Sequence, residues 1–305
     1  MKYAPIALFT YSRADHTRQA VESLLQNAES NDSDLYIFSD GPKTEEKRAA
    51  VEENRKYIHS ITGFKSVTIV EREKNWGLAN SLIAGITDIV NKYGRVIVVE
   101  DDLILSPYFL KFMNDGLEKY EHDDRVASIS GFLNPVEGNI PETFFLRYFA
   151  CWGWATWKRA WDLLNTDARD LLRQLRWKKN DFNIGGSGAF YEMLYCQKVG
   201  LVDSWAVRFY ASCFLKNKLH LFPSRTLAIQ TGMDGSGVHC GNTNTLRNME
   251  VSLNPINLTD IPVIESKDMY STFSDYYSGG RKMSIKGLFE GFKSIVRRIL
   301  NIDAK

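Results

Sequence analysis

The strongest constraint on the fold is the alternation of two hydrophobic periods along the first third of the chain. Four short runs rich in β-branched and aromatic residues predict buried strands, at residues 6–11, 34–40, 66–71 and 95–101. Between them, apolar residues recur at the helical spacing of three and four, as in the sets Val51, Asn54, Ile58, Ile61 and Leu78, Leu82, Ile86, Ile89. This alternation predicts an α/β fold with a doubly wound, mostly parallel sheet.

Polar residues follow each predicted strand, at the edge where open α/β sheets bind ligands. Arg13 follows the first strand, Asp40 ends the second, Trp76 follows the third, and residues 100–102, Glu-Asp-Asp, end the fourth. The first strand is not followed by GxGxxG, and the sequence has no GxxxxGK[ST] pattern. Both absences argue against a dinucleotide-binding domain and against a P-loop NTPase.

Composition narrows the class of protein further. Lys and Arg number 38 against 37 Asp and Glu in 305 residues, so the charge gives no argument for nucleic acid. The four cysteines lack zinc-type or CxxC spacing and are predicted to be reduced and structural. The apolar run at the N-terminus is too short for a signal peptide, and no later run is long enough to cross a bilayer, which predicts a cytoplasmic protein.

The acidic triplet at residues 100–102 is the strongest chemical signal. Carboxylates are costly to remove from water, so a group of them is either solvated or compensated by a cation. A helix is predicted to follow at once, with Ser106 as N-cap and Pro107 in its first turn, which leaves little loop for solvation. A divalent cation completed by phosphate and water fits these oxygens. The alternative is an acidic strand end that is solvated or faces nearby lysines.

The ordered set of motifs resembles a known family. A strand followed by Glu-Asp-Asp is similar to the DxD-type motif of GT-A fold glycosyltransferases, and in particular to N-acetylglucosaminyltransferase I and its bacterial relatives. The resemblance covers residues 5–241 and includes PIALFTYSRADHTRQAVESLL, YIFSDGP, FACWGWATWKRAW, DSWAVR and GMDGSGVHCG. It implies a GT-A fold, a UDP-sugar donor with UDP-GlcNAc favoured, Mn2+ or Mg2+, and inverting transfer to a saccharide acceptor.

The resemblance also implies roles for residues on the donor side. Arg13 and Asp40 match positions that contact the nucleotide base and ribose, although Asp40 in SDGP also suits a turn. Asp102 matches the direct metal ligand. Glu100 and Asp101 would hold the ribose and the sugar, or orient the waters of the metal.

Two carboxylates are candidates for the catalytic base on the acceptor side. Asp203 precedes a predicted helix, where a carboxylate could accept the proton of the attacking hydroxyl or simply cap the helix. The family has adjacent acidic residues where this chain has Asp-Ser, so Asp234 is the second candidate. Asp234 lies in the glycine-rich segment 232–241, which resembles the family's closing loop and also holds His239, a candidate ligand of the metal or diphosphate or a structural histidine.

Two tryptophans are candidates for contacts with the donor. Trp154 in the WGW motif could stack on the face of a sugar, although aromatic clusters of this kind usually belong to a core. Trp76 could wall the nucleotide site, and a packing role is an equal alternative.

The pattern along the chain predicts three regions. Residues 1–125 form the nucleotide-sugar-binding subdomain, residues 126–245 an α+β acceptor-binding and catalytic subdomain, and residues 246–305 a linker and a basic amphipathic C-terminal helix. Residues 281–298 contain six Lys or Arg and one Glu opposite an apolar face. Such a helix could lie on an anionic membrane surface at the inner face of the plasma membrane, or pack on its own domain.

The sequence therefore predicts a metal-dependent glycosyltransferase that uses a UDP-sugar and acts on a saccharide, or a lipid-linked saccharide, in bacterial surface glycan synthesis. One rival is a nucleotidyltransferase resembling the sugar-nucleotide pyrophosphorylases, although their glycine-rich, arginine-containing loop is absent after the first strand. The other rival is a non-catalytic glycan-binding protein with a transferase fold.

Overall fold

A computed structural model describes residues 3–232 and 249–279. The strands are β1 Ile6–Thr10, β2 Asp34–Ser39, β3 Ser66–Glu71, β4 Arg95–Glu100, β5 Leu103–Leu105, β6 Val126–Ser130, β7 Thr143–Leu146, β8 Trp154–Trp157, β9 Leu219–Pro223 and β10 Ala228–Gln230. The helices are α1 Ala14–Leu25, α2 Glu45–Ile58, α3 Leu78–Tyr93, α4 Phe109–Lys119, α5 Lys158–Trp161, α6 Ala168–Leu175, α7 Lys179–Phe182, α8 Phe190–Lys198 and α9 Trp205–Leu215. Residues 267–279 are also helical.

Eight strands form one mixed sheet, in the order β3-β2-β1-β4-β8-β6-β9-β7. β1, β2, β3 and β4 are parallel neighbours, as the alternation of strands and helices predicted. β8 then runs antiparallel between β4 and β6, so β6 again points in the same direction as β4. The predicted α/β class with a mostly parallel sheet is confirmed. The carboxyl ends of β1, β2, β4 and β6 consequently lie along one edge.

Both faces of the sheet are covered, which explains why the central strands are apolar throughout. β1 and β6 have only buried residues, and in β4 the four residues from Val96 to Val99 are buried. On α2 the predicted inner face is correct for Val51, Asn54 and Ile58, but Ile61 lies beyond the helix end. On α3 the inner face begins one residue later than predicted, because Leu78 is exposed while Ala79 and Leu82 are buried.

The helix after the acidic triplet begins later than the sequence predicted. α4 starts at Phe109, and Ser106 and Pro107 precede it. Ser106 makes a turn instead, because its Oγ accepts from the N–H of Tyr108 at 3.1 Å and donates to the carbonyl of Ser252 at 2.6 Å. The segment between β4 and α4 therefore includes the short strand β5, and it is anchored to residues late in the chain.

Residues 249–279 contribute to the core, whereas the sequence suggested a linker or an extended tail on the surface. Ile256 packs in the cluster beneath β1 and β4, and Met269 and Phe273 of the helical segment are buried against β7 and β9. These apolar residues are widely spaced in a polar sequence, which is why periodicity did not reveal them. Among the described residues, none of the helices has the length and apolarity required to cross a bilayer. The predicted C-terminal helix at 281–300 lies outside the described residues.

Candidate functional site

The acidic triplet lies at the carboxyl edge of the sheet, beside the end of β1. In the parallel register of β1 and β4, Phe9 is opposite Glu100. The N–H of Asp101 donates to the carbonyl of Phe9 at 3.0 Å, which continues the ladder by one bond. The triplet is thus held against the chain that leads from β1 into α1.

Asp101 is directed inward and organises this turn. It is 5% exposed, and its Oδ1 forms an ion pair with Nη2 of Arg13. Its Oδ2 accepts from the N–H of Tyr11 and from Oγ1 of Thr10, both at 3.4 Å. Burial raises the pKa of Asp101, although the charge of Arg13 opposes that shift. Asp101 therefore positions the end of β1, in addition to any contact it makes with a ligand.

Behind Asp101 lies a buried polar network that ties three elements together. Oγ1 of Thr10 is 2.8 Å from Oγ1 of Thr17 on α1. Nδ2 of Asn54, on α2, donates to Oγ1 of Thr10 at 2.8 Å. Because Asn54 is fully buried, the helical position predicted to face the core carries a hydrogen-bonding group that supports the acidic edge.

Asp102 faces the chain that follows β10. Its Oδ2 accepts from Nη2 of Arg13 at 2.9 Å and from Nε2 of Gln230 at 3.3 Å. Its carbonyl accepts from the N–H of Thr231 at 2.8 Å. A Cβ on Gly232 would overlap the Asp102 carboxylate and would lie 2.8 Å from Nη1 of Arg13. Any larger residue at this position would require the side chains of Asp102 and Arg13 to shift.

The charges at this edge are not balanced among the described residues. Arg13 forms ion pairs with Asp101 and Asp102, and burial opposes its charge, but the two carboxylates raise the pKa of the guanidinium above its ordinary value. Burial, with the charges of Asp102 and Asp101, raises the pKa of Glu100 to about 8. A further cation at this edge would stabilise the ionised form of Glu100.

The donor set at this edge fits a hard divalent cation. Within residues 3–232 and 249–279, no group of three His, Cys, Asp or Glu side chains is arranged to hold a metal. Asp102 and Glu100 nevertheless supply carboxylate oxygens, the ligand type that Mg2+ and Mn2+ prefer when phosphate and water complete the shell. The uncompensated negative charge is the observation that supports this fit.

Asp40 and Trp76 are joined at the ends of β2 and β3. The carboxylate of Asp40 accepts from the N–H of Gly41 at 2.9 Å, of Trp76 at 2.8 Å and of Gly77 at 2.9 Å. Asp40 thus fixes the turn before α3, and its bond to Gly41 also supports the SDGP turn, the structural role that the sequence left open. It also fixes Trp76, whose partly exposed ring lies under the guanidinium of Arg72, with 3.6 Å between the Arg72 carbon and the ring centroid.

Asp203 lies just before α9 but does not cap it. The N-cap is Ser204, whose Oγ accepts from the N–H of Val207 at 3.3 Å. Asp203 is 53% exposed in its side chain, and its Oδ1 accepts from Nη2 of Arg208 at 2.9 Å. Burial lowers the pKa of Arg208 despite the charge of Asp203. The pair leaves Asp203 accessible and oriented, as a candidate base requires.

Trp154 belongs to the hydrophobic core that β8 forms with α9. Its side chain is 0% exposed, and its ring stacks on that of Trp205 with centroids 5.4 Å apart. Trp154 is opposite Val98, two residues before Glu100. Because Trp205 stacks on Trp154, the start of α9 packs against this part of the sheet. The structure favours the packing role for Trp154. Asp234 and His239 lie outside the described residues.

Three residues near the edge carry functional groups that the sequence did not single out, Tyr11, Arg72 and Gln230, and Gly232 of the predicted closing loop lies beside them. Gln230 and Gly232 contact Asp102 only because β10 pairs with β5, which is a long-range event. Arg72 is placed by its stacking on Trp76, and the hydroxyl of Tyr11 accepts from the N–H of Lys43 at 2.9 Å. The proximity of Tyr11 and Arg72 to predicted strand ends was the available signal.

Comparison with known proteins identifies the family. Residues 6–195 match the family model described as Glycosyl transferase family 2. The match includes β1 to β8 and the acidic triplet. A comparison with curated proteins found no significant match.

Solved structures show more distant similarities. The chain is similar to S. aureus TarS, at 14% identity over 47% of this chain and 23% of TarS, with a TM-score of 0.31. A mannosyltransferase from Pyrobaculum calidifontis, solved with GDP-Man and Mn2+, is 11% identical over 70% of each chain, with a TM-score of 0.38. A UDP-glucose pyrophosphorylase solved with UDP-glucose is 12% identical over 72% of this chain and 90% of that protein, with a TM-score of 0.35. These similarities are too distant to assign an activity.

Proposed function

Because this chain belongs to glycosyl transferase family 2, we propose that it transfers a sugar from a UDP-sugar to a saccharide acceptor with the help of Mn2+ or Mg2+. The observation that carries the proposal is the excess of carboxylate at the end of β4, where Arg13 alone neutralises Asp101 and Asp102 among the described ion pairs. A sugar nucleotide carries a diphosphate, which such an edge would repel unless a cation intervened.

The donor would lie along the ends of β1, β2 and β4. When bound, the cation would neutralise the diphosphate that leaves with the nucleotide. Asp102, with Glu100 beside it, is the proposed protein ligand of the cation. Asp101 and Arg13 would hold this segment in place, and the narrow gap at Gly232 would bring the backbone against the phosphates.

The nucleotide base would lie toward β2 and β3. Trp76 offers an exposed ring whose position is fixed by the hydrogen bonds of Asp40 and by the stacked Arg72. A flat, preorganised surface of this kind suits a planar base. The preference for UDP, and for UDP-GlcNAc among its sugars, comes from the sequence resemblance.

The acceptor would enter from the side of α9. Asp203 would accept the proton of the attacking hydroxyl while the donor lies on the opposite face, which gives inversion at the sugar carbon. Arg208 would orient that carboxylate. Asp234 is the second candidate for this role. A role in bacterial surface glycan synthesis, and an acceptor linked to a lipid, are the finer parts of the proposal.

Isothermal titration of the purified protein with UDP, with and without Mn2+, tests the donor site directly. We expect binding that requires the metal and that Asp102→Ala abolishes. Asp115→Ala is the matched control, because Asp115 is a carboxylate on α4 that pairs with Lys111 away from the triplet. UDP binding that is absent under both conditions, or unchanged in Asp102→Ala, would refute the proposed donor site.

A further inference from the structure

A basic and aromatic segment is fully exposed on the acceptor half of the molecule. Residues 176–180, from the end of α6 into the start of α7, are all exposed, and Trp177 is 85% exposed. Arg176 precedes this ring, with its guanidinium carbon 5.2 Å from the ring centroid, and Lys178 and Lys179 follow. A tryptophan is large and apolar, so its exposure between three cations calls for a partner.

The outer face of α8 adjoins this segment. Glu192, Tyr195 and Val199 are spaced by three and four residues, and Tyr195 and Val199 are 52% and 48% exposed. Lys179 joins the two elements, because its Nζ lies 2.8 Å from Oε1 of Glu192. Its Nζ is also 5.1 Å from the ring centroid of Tyr191. We call residues 176–179 together with Glu192 and Tyr195 of α8, and Val199 just after its end, the basic–aromatic surface.

The charge of this part of the chain is positive, in contrast to the near-neutral whole. Residues 169–200 contain six Lys or Arg and three Asp or Glu, while the net charge of the full chain is +1. One of the three acids, Asp181, is engaged by the guanidinium of Arg147 at 2.8 Å. The basic residues of the surface therefore exceed its acidic residues.

We propose that the basic–aromatic surface docks on an anionic lipid bilayer. Tryptophan and tyrosine favour the boundary between lipid headgroups and acyl chains, and flanking Lys and Arg are attracted to anionic headgroups. The surface presents both kinds of group together, and Val199 adds aliphatic area. A nucleic acid would contact the cations and the rings but would gain little from Val199. An acidic protein would bind mainly through the cations, so the exposed apolar side chains favour a bilayer.

The surface is attached to the proposed acceptor side. Oε1 of Gln197, at the end of α8, accepts from the N–H of Ser204 at 2.6 Å. Docking of α8 on a bilayer would therefore bring Asp203 close to it. This consequence rests on the proposed function and would place the candidate base near an acceptor carried by a lipid, whereas docking itself does not depend on the donor chemistry.

Cosedimentation of the full chain with vesicles tests the proposal. We expect binding to phosphatidylcholine vesicles that contain phosphatidylglycerol, little binding to phosphatidylcholine alone, and weakening by salt. Arg176→Gln combined with Lys178→Gln should weaken binding about 30-fold, because two basic residues near an anionic surface are removed. Trp177→Ser should weaken it about tenfold.

Matched variants separate this surface from general charge effects. Lys47→Gln combined with Lys56→Gln removes two exposed charges from α2, and Leu253→Ser removes an exposed apolar side chain elsewhere. Both should bind vesicles as the unchanged protein does. Residues 281–305 are identical in all these proteins, so any binding through them cancels. The proposal is overturned if the protein does not bind anionic vesicles, or if the surface variants and the control variants bind them equally. Binding of an acidic protein to this surface in place of vesicles would also overturn it. Calorimetry with UDP stays unaffected in either case, so this test and that of the donor site can fail separately.

Discussion

Two clusters in this molecule have the same core composition, one arginine between two carboxylates, and differ in how completely their groups are paired. Arg13 lies between Asp101 and Asp102 at the carboxyl edge of the sheet. Arg147 lies between Asp181 and Glu265, where it joins α7 to the later part of the chain. Both arginine side chains are 22% exposed, so burial does not distinguish them.

Hydrogen bonding does distinguish them. Arg147 gives Nη1 and Nη2 to Asp181 at 2.8 and 3.0 Å, and Nε to Glu265 at 2.9 Å. Arg13 uses Nη2 for both of its carboxylates, and its buried Nη1 has no hydrogen-bond partner among the described residues. Glu100 adds a further acid beside it. A complete cluster of this composition stabilises a contact, whereas an incomplete cluster with excess charge is suited to a ligand.

The largest expected effect is on catalysis, from Asp102→Asn. We expect the release of UDP from the donor sugar nucleotide to slow by about 1,000-fold, because a ligand of the proposed cation is lost. The free energy of unfolding should change by less than about 1 kcal/mol, since one negative charge is removed from a crowded edge. Kinetic assays and urea denaturation measure the two quantities. If Asp102→Asn is stable and fully active, the Arg13 cluster is not a ligand site and does not differ in role from the Arg147 cluster.

The next effect is on stability, from Arg147→Met. This change leaves Asp181 and Glu265 without their shared partner, so we expect a loss of about 2 kcal/mol in the free energy of unfolding, discounted for partial exposure. Arg225→Met is the control, because the Arg225 pair with Glu142 is longer, at 3.4 Å, and more exposed. It should cost less than about 1 kcal/mol. Equal losses in the two variants would contradict a structural role specific to Arg147.

Gly232→Ala tests whether the incomplete cluster of Arg13, Asp101 and Asp102 depends on the close approach of the backbone at Gly232. The added Cβ would crowd Asp102 and approach Nη1 of Arg13, so the two side chains must move. We expect UDP binding in the presence of Mn2+ to weaken about tenfold, because the diphosphate and metal groups would be misplaced. Calorimetry measures this change. Gly279→Ala, where an added Cβ meets no atom within 4 Å, is the control and should bind normally.

The smallest effect concerns the cation alone. Arg13→Gln removes the charge that competes with a metal for Asp101 and Asp102, so Mn2+ in the absence of nucleotide should bind about fivefold more tightly. Arg147→Gln should leave Mn2+ binding unchanged. Titration with Mn2+ in the absence of nucleotide measures the affinity of both variants. If Arg13→Gln and Arg147→Gln both bind Mn2+ more tightly, the effect is not specific to the cluster at the sheet edge.

Much of residues 6–101 could be predicted because the central strands β1 and β4 are buried on both faces. The prediction of a buried strand at 66–71 was wrong about burial, because β3 is the edge strand and none of its residues is buried. The first strand was predicted at 6–11 and observed at Ile6–Thr10, and the fourth was predicted at 95–101 and observed at Arg95–Glu100. The predicted glycosyltransferase assignment is confirmed by the match of residues 6–195 to glycosyl transferase family 2, whereas the specific resemblance to N-acetylglucosaminyltransferase I stays a prediction. Local sequence was sufficient here, since an apolar run between helical patterns has few other structures available to it.

The pairing within the site could not be read from the sequence. Arg13 and Asp101 are 88 positions apart, and Gln230 reaches Asp102 across 128 positions. Asp40 shows the same limit at shorter range, because a carboxylate before Gly-Pro suits both a turn and a ligand. In the structure, the backbone N–H groups of Trp76 and Gly77 donate to the carboxylate of Asp40. The roles of Asp203, Asp234 and His239 in catalysis and binding stay predictions.

The antiparallel pairing of β8 with β4 has a mechanical consequence. Val98 pairs with Trp154, and the ladder continues to Arg95 and Trp157. The half of the sheet that contains β1 to β4 and the half that contains β6 to β9 are therefore joined by one uninterrupted set of backbone hydrogen bonds. A hinge between the halves would have to break that ladder. The sheet therefore holds the carboxyl ends of β4 and β6 at a fixed separation, and any opening motion must be made by segments that lie outside it.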